Sequence, residues 1–95
     1  MINGDIAKIF REMSMLLEMQ GVAFKPQAYE KAALAIGELG EDLKDIYRKG
    51  GIKALEEIPG VGKGMAEKIE EYIKTGRIEE YQAMKKEIPV DVDGL

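Results

Sequence analysis

The chain contains no cysteine and no histidine. That double absence removes disulfide bridges, zinc fingers, haem ligation and thiol nucleophiles, and with them Ser-His-Asp and Cys-His catalysis. Long hydrophobic runs are also missing: nothing approaches the roughly 20 apolar residues that span a bilayer. The opening Met1-Ile2-Asn3-Gly4-Asp5 lacks the basic and apolar regions of a signal peptide. No membrane association and a cytoplasmic location are therefore expected. Basic residues are outnumbered, 14 against 18 acidic, for a net charge of −4. Such a chain does not act as a polycation that blankets many phosphates. Any chemistry is left to Lys, Tyr, Asp, Glu and backbone groups. The 95 residues make one domain, and 45% hydrophobic with 34% charged residues suits a folded one.

What is present reads as a row of short helices. From Asp5 to Gln20, Ile6, Ile9, Phe10, Met13, Leu16 and Leu17 recur with a period of about 3.6 residues. Asn3 or Asp5 stands where it can cap this helix, and Gly21 where it can end it. Pro26 suits the first turn of a second helix carrying Tyr29, Ala32, Ala33, Ile36 and Leu39, with Gly37 weakening its end and Gly40 beyond it. A third runs from about Glu41 to Lys49, acidic at its start and basic at its end, as the helix dipole favours. Gly50-Gly51 breaks the chain before a fourth, Ile52 to Glu57. A fifth follows Pro59-Gly60-Val61-Gly62-Lys63-Gly64 and runs to Lys74, with Met65, Ala66, Ile69, Tyr72 and Ile73 inward. A last helix covers Ile78 to Glu87, using Tyr81, Met84 and Ile88, and Pro89 ends it. The six methionines are expected to fill gaps in the core. The fold class is therefore all-α, a compact bundle of five to six short helices over residues 1–88. Residues 89–95 read as a linker to further domains.

The segment Ile58-Pro59-Gly60-Val61-Gly62-Lys63-Gly64 joins two of these helices. Gly60 and Gly62 permit positive φ and a close approach by another backbone. The next helix starts at once, so its first amides face outward without intrahelical partners. Bare glycine backbone beside such amides forms an anion site, and phosphate is the expected anion. A contact of that kind reads no base identity. The alternative is a tight turn whose glycines serve conformation alone. The complete hydrophobic-Pro-Gly-Val-Gly-x-x-x-Ala-x-x-Ile string, ending at Ala66 and Ile69, is the helix-hairpin-helix signature.

The likeness extends beyond the hairpin. Phe24-Lys25-Pro26-Gln27-Ala28-Tyr29-Glu30-Lys31-Ala32-Ala33 resembles the second helix of the small amino-terminal domain of family X DNA polymerases. Ile58 to Gly76 is similar to that domain's hairpin and following helix, and the resemblance covers about Asp5 to Glu87. It is strongest toward bacterial and archaeal PolX proteins. It implies a monomeric DNA-binding module of a repair polymerase, fused to downstream polymerase domains, that holds the 5′-phosphate side of gapped or nicked duplex. In one eukaryotic member, DNA polymerase beta, the domain is also a 5′-deoxyribose-phosphate lyase. By resemblance, DNA would be held by Gly60, Val61, Gly62, Lys63 and Gly64 and by the phosphate-pocket residues Lys25 and Tyr29. The lyase nucleophile would be Lys68, with Glu67 as its acidic neighbour. The main-chain carbonyls of Glu56, Ile58 and Val61 would bind Na⁺ or K⁺, and no other cofactor is required. Two departures thin the phosphate pocket. Phe24 stands where the eukaryotic lyase has histidine, and two of its pocket lysines fall on Glu56 and Gly64 here.

At about 100° per residue, Lys68 lies roughly 40° beyond Tyr72, at the edge of the apolar stripe. A functional amine and a snorkelling lysine paired with a glutamate both fit that position. Lys25 is likewise either a phosphate ligand or a loop lysine, and Tyr29 either a pocket residue or a packed ring with a wet hydroxyl. The acidic residues Glu67, Glu70, Glu71, Glu79 and Glu80 read most simply as a solvated face. A protein-interaction domain using acidic helices is the alternative from a different functional class. No polymerase activity is expected from this stretch alone.

Overall fold

Five helices follow one another through residues 1–86, the part of the chain that the computed structural model describes: α1 (Asn3–Met19), α2 (Lys25–Gly37), α3 (Leu43–Glu56), α4 (Lys63–Thr75) and α5 (Glu79–Lys86). No strand occurs among the described residues. The expected contact of Ile88, the helix end at Glu87 and Pro89, and the linker 89–95 lie outside them.

Glycine sets the boundaries. Gly21, at φ +76°, turns the chain out of α1, while the Gly21 and Val22 amides donate to the Glu18 and Leu17 carbonyls at 3.0 Å each. That pair of bonds satisfies carbonyls which the helix end would otherwise leave open. Gly51, at φ +70° and ψ −162°, bends α3 sharply. The expected third and fourth helices are thus two arms of one kinked element. At the start of α3 the Asp42 carboxylate accepts from the Lys44 amide at 2.9 Å.

The cap of α1 differs from expectation. Its N-cap is Ile2, with no side-chain bond, and Asn3 lies inside the helix. Asn3 is buried and reaches across to α3: its Nδ2 donates to the Glu41 carbonyl and its Oδ1 accepts from the Leu43 amide, each at 2.9 Å. Asn3 therefore caps a helix forty residues away.

The core is continuous through all five helices. Ile6, Phe10 and Met13 of α1 face Tyr29, Ala32, Ala33 and Ile36 of α2, and the two alanines let the helix axes approach. The Phe10 and Tyr29 rings meet edge to face, 5.5 Å between centroids. Ser14 Oγ donates to the Pro26 carbonyl at 2.8 Å, a buried bond between the same helices. Leu43, Leu55, Ile58, Val61, Ala66 and Ile69 extend the core through α3 and α4. Tyr47 of α3 donates to Glu70 of α4 at 2.7 Å. Ile78, Tyr81 and Met84 bring α5 back toward α1, where the Tyr81 hydroxyl donates to Glu12. Burial, then that carboxylate's hydrogen bond and charge, pushes Tyr81 up to about 12.

The methionine expectation holds only in part. Met13 and Met84 are buried and Met65 packs partly against the core, but Met1, Met15 and Met19 are exposed. Met15 sits about 200° around α1 from Met13, away from the core.

Candidate nucleic-acid interface

The second arm of α3 and α4 form a hairpin around Glu57–Gly62. Ile58 and Val61 anchor the turn in the core, and the Val61 amide donates to the Ile58 carbonyl at 2.9 Å. Gly60, at φ +94°, lies flat on α2: a Cβ there would stand 3.0 Å from the Ala35 Cβ and 3.4 Å from the Lys31 carbonyl. The fold itself requires glycine at that position.

Gly62 and Gly64 differ. Gly62 is extended, at φ −85° and ψ −179°, Gly64 is helical, and a Cβ on either meets nothing within 4 Å. Neither backbone conformation nor packing calls for glycine here. Gly62 is the N-cap of α4 and offers no side-chain cap, so the first amides of the helix lack a side-chain acceptor. They open on a cleft of about 530 Å³ lined by Ala28 and Lys31 of α2 and by Gly60, Gly62, Gly64 and Met65. Lys31 at its wall and Lys63 at the helix start are both exposed, and neither pairs with a carboxylate among the described residues.

A second cluster forms where α2, α4 and α5 meet. Lys25 and Tyr29, one turn apart on α2, and Lys68 of α4 all reach one group, Glu80 of α5. Glu80 Oε1 lies 2.7 Å from Lys68 Nζ and accepts from the Tyr29 hydroxyl at 3.3 Å, while Lys25 Nζ is 4.0 Å from Oε2. Lys68 is mostly covered, its side chain 22% exposed, whereas that of Lys25 is 62% exposed. Desolvation opposes the Glu80 charge, but the hydrogen bond and charge of Lys68, then Lys25 and the Tyr29 hydroxyl, outweigh it and hold this carboxyl below its ordinary value. Burial of the Tyr29 ring, reinforced by the charge and hydrogen bond of Glu80, raises the phenol well above its ordinary value.

The hairpin, its uncapped helix and the bundle around it match a known pattern: the helix-hairpin-helix domain describes residues 1–78. The chain belongs to the helix-hairpin-helix domain family. A relative is the DNA polymerase/3′-5′ exonuclease PolX of Bacillus subtilis, 28% identical over 86 residues and 90% of this chain. The chain spans about 14% of that relative's length.

In this helix-hairpin-helix domain, Gly60, Val61, Gly62, Lys63 and Gly64 are brought together by the hairpin, and Lys25, Tyr29 and Lys68 by the second cluster. Glu67 is not part of either. It is exposed, its side chain has no ion pair or hydrogen bond among the described residues, and the carboxylate on Lys68 is Glu80. Glu80 is the site residue that sequence reasoning passed over as solvated surface. The carbonyls of Glu56, Ile58 and Val61 follow one another through the turn. They are neutral oxygen donors of the kind alkali cations take, and Ile58 O keeps one lone pair after accepting from Val61. Among the described residues no helix is long and apolar enough to cross a membrane.

Proposed function

We propose that this domain binds DNA through the sugar-phosphate backbone, without sequence specificity, and grips the 5′-phosphate side of a gapped or nicked duplex. Membership of the helix-hairpin-helix family and the likeness to PolX support DNA as the ligand. The observation that carries the reading is the pair Gly62 and Gly64, glycines the fold does not need, at an uncapped helix N-terminus opening on a lysine-walled cleft. Amides of the first turn of α4 donate to a backbone phosphate, and Lys31 and Lys63 add charge beside it. Missing Cβ atoms let the phosphate approach the backbone directly. A Na⁺ or K⁺ ion on the carbonyls of Glu56, Ile58 and Val61 would supply positive charge between hairpin and phosphate. Lys25, Tyr29 and Lys68 take the terminal 5′ phosphate. In the longer protein, polymerase domains would act on the DNA held here.

Fluorescence anisotropy with a gapped duplex, prepared with and without the 5′ phosphate, tests this directly. The phosphorylated form is expected to bind about tenfold tighter, since two lysines and a phenol gain a partner of nearly two charges. Affinity should fall only shallowly with salt, because few phosphates are neutralised. Equal, negligible binding to both overturns the proposal and favours the acidic helices as a protein-docking surface.

Lyase chemistry is a second reading, favoured by the position of Lys68 beside the other two donors. A neutral Lys68 amine would add to the C1′ aldehyde of the ring-opened sugar and lose water to give an iminium. A base would then take the C2′ proton, the electron pair would form the new double bond, and the 3′ phosphate would leave; water finally frees the amine. In the structure Lys68 Nζ is held against Glu80 Oε1 at 2.7 Å, so that attack needs this contact to open first. Borohydride trapping on a pre-incised abasic duplex decides. No adduct, or one undiminished in Lys68→Ala, removes Lys68 from such a mechanism.

A further inference from the structure

The Glu80 carboxylate engages every side chain that a phosphate at the second cluster would need. Tyr29 has a single O–H, and that hydrogen points at Glu80 Oε1. It cannot be given to Glu80 and to a ligand at once. Lys68 holds its shortest contact to the same oxygen, and Lys25 stands nearest the other. A phosphate arriving with Glu80 in place would gain no free phenolic hydrogen and would face a like charge within a few ångströms.

The backbone beneath Glu80 is pinned independently of the cluster, whereas its side chain is held by Lys68, Tyr29 and Lys25. The Glu79 amide donates to Glu71 Oε2 at 2.9 Å, Glu79 pairs with Arg77 at 2.9 Å, and the neighbouring Tyr81 is buried against α1. The Glu80 side chain itself is 35% exposed, so a rotamer change carries its carboxylate into water without moving α5.

We propose that Glu80 is an internal competitor whose carboxylate keeps the Lys25–Tyr29–Lys68 cluster closed, so that a phosphomonoester enters by displacing it. The inference rests on the phosphate reading given above and adds the residue that sets its affinity. A terminal phosphate suits the exchange: at neutral pH it carries nearly two charges and three acceptor oxygens, against one charge and two oxygens for the carboxylate.

The test is gapped-duplex anisotropy, with and without the 5′ phosphate, on the wild type and on Glu80→Gln, Glu80→Asp and Glu79→Gln, with thermal melts to confirm folding. Glu80→Gln should tighten the phosphorylated duplex about tenfold and leave the hydroxyl-ended duplex within about twofold. Glu79→Gln removes the same charge from an exposed position and should change both by the same small factor. Glu80→Asp keeps the charge but draws it back by one methylene, so an intermediate gain is expected; it carries the test if Glu80→Gln does not fold. If the wild type prefers the 5′ phosphate and Glu80→Gln binds no better than Glu79→Gln, or binds more weakly, the competitor proposal alone falls. If neither wild type nor variant distinguishes the two duplexes, the phosphate reading falls and this inference with it.

Discussion

Replacing Gly64 and Gly60 by alanine, one at a time, should move stability in opposite directions while weakening DNA binding in both cases. Gly64 is helical, and an added Cβ meets nothing within 4 Å. Alanine in a helix is worth about 0.5–1 kcal/mol over glycine, through backbone entropy removed from the unfolded chain. For a domain of this size that raises Tm by roughly 2–8 °C. The same methyl projects at the cleft the phosphate must enter, so affinity for gapped duplex should fall about tenfold or more. Gly60 is the contrast. Its φ of +94° disfavours any L side chain, and its Cβ would stand 3.0 Å from Ala35 and 3.4 Å from the Lys31 carbonyl. Left-handed strain and the forced shift of the turn off α2 together cost about 1–3 kcal/mol. Thermal melts by circular dichroism and anisotropy on the same preparations give both quantities. A Gly64→Ala protein that is more stable and binds DNA as tightly as the wild type would refute the reasoning. Lower stability on that substitution would mean that glycine there serves the fold after all.

Three further outcomes follow from other parts of the molecule. Asn3→Ala should lower stability by about 2 kcal/mol, because it strips the buried Leu43 amide and the Glu41 carbonyl of their partners; a melt unchanged within about half a kcal/mol would contradict this. Phe24 has φ +71°, is 86% exposed, and sits in a tight turn closed by the Lys25 amide donating to the Ala23 carbonyl at 2.8 Å. Phe24→Gly relieves that strain at little loss of burial, so Tm should rise, by about 1 kcal/mol of stability; a fall in Tm sinks the argument. The folded Glu80 carboxyl titrates below its ordinary value of 4.5, so it binds its proton less readily than in the unfolded chain. Its contribution is therefore present above that value and lost as pH falls below it. Acid melts should show the wild type losing more stability than Glu80→Gln across this window, and parallel curves would exclude the contribution.

Much of the fold was legible because glycine marks it. Gly21 and Gly51 adopt positive φ where the helical period stops, and the turn at Gly60 follows from the hairpin string. Asn3 was not legible: cap chemistry is read from neighbours in the chain, and its acceptor and donor lie about forty residues on. The exposed Met15 and Met19 escaped because a thioether is apolar by composition whichever way it faces. At the site, the resemblance brought Lys25, Tyr29 and Lys68 forward together, but not the residue that joins them. Glu80 lies beside the equally acidic but more exposed Glu79, and reaches the cluster only because α5 folds back. A signal existed. Glu80 is one helical turn before the buried Met84, about 40° from it, the same boundary position that drew attention to Lys68.

The return of α5 to α1 also orders events in time. Tyr81 and Glu12 are 69 residues apart, so their contact depends on the helices between them being in place. Eight residues are too few to hold a helix unaided, so α5 becomes helical only on a surface the other four have already built. It is then the last piece to dock and the first to leave. Substitutions at Tyr81 should accelerate unfolding and leave the folding rate nearly untouched, a low-φ signature in stopped-flow chevrons. Because Glu80 rides on that helix, the cluster around it exists only in the final state of the folding reaction.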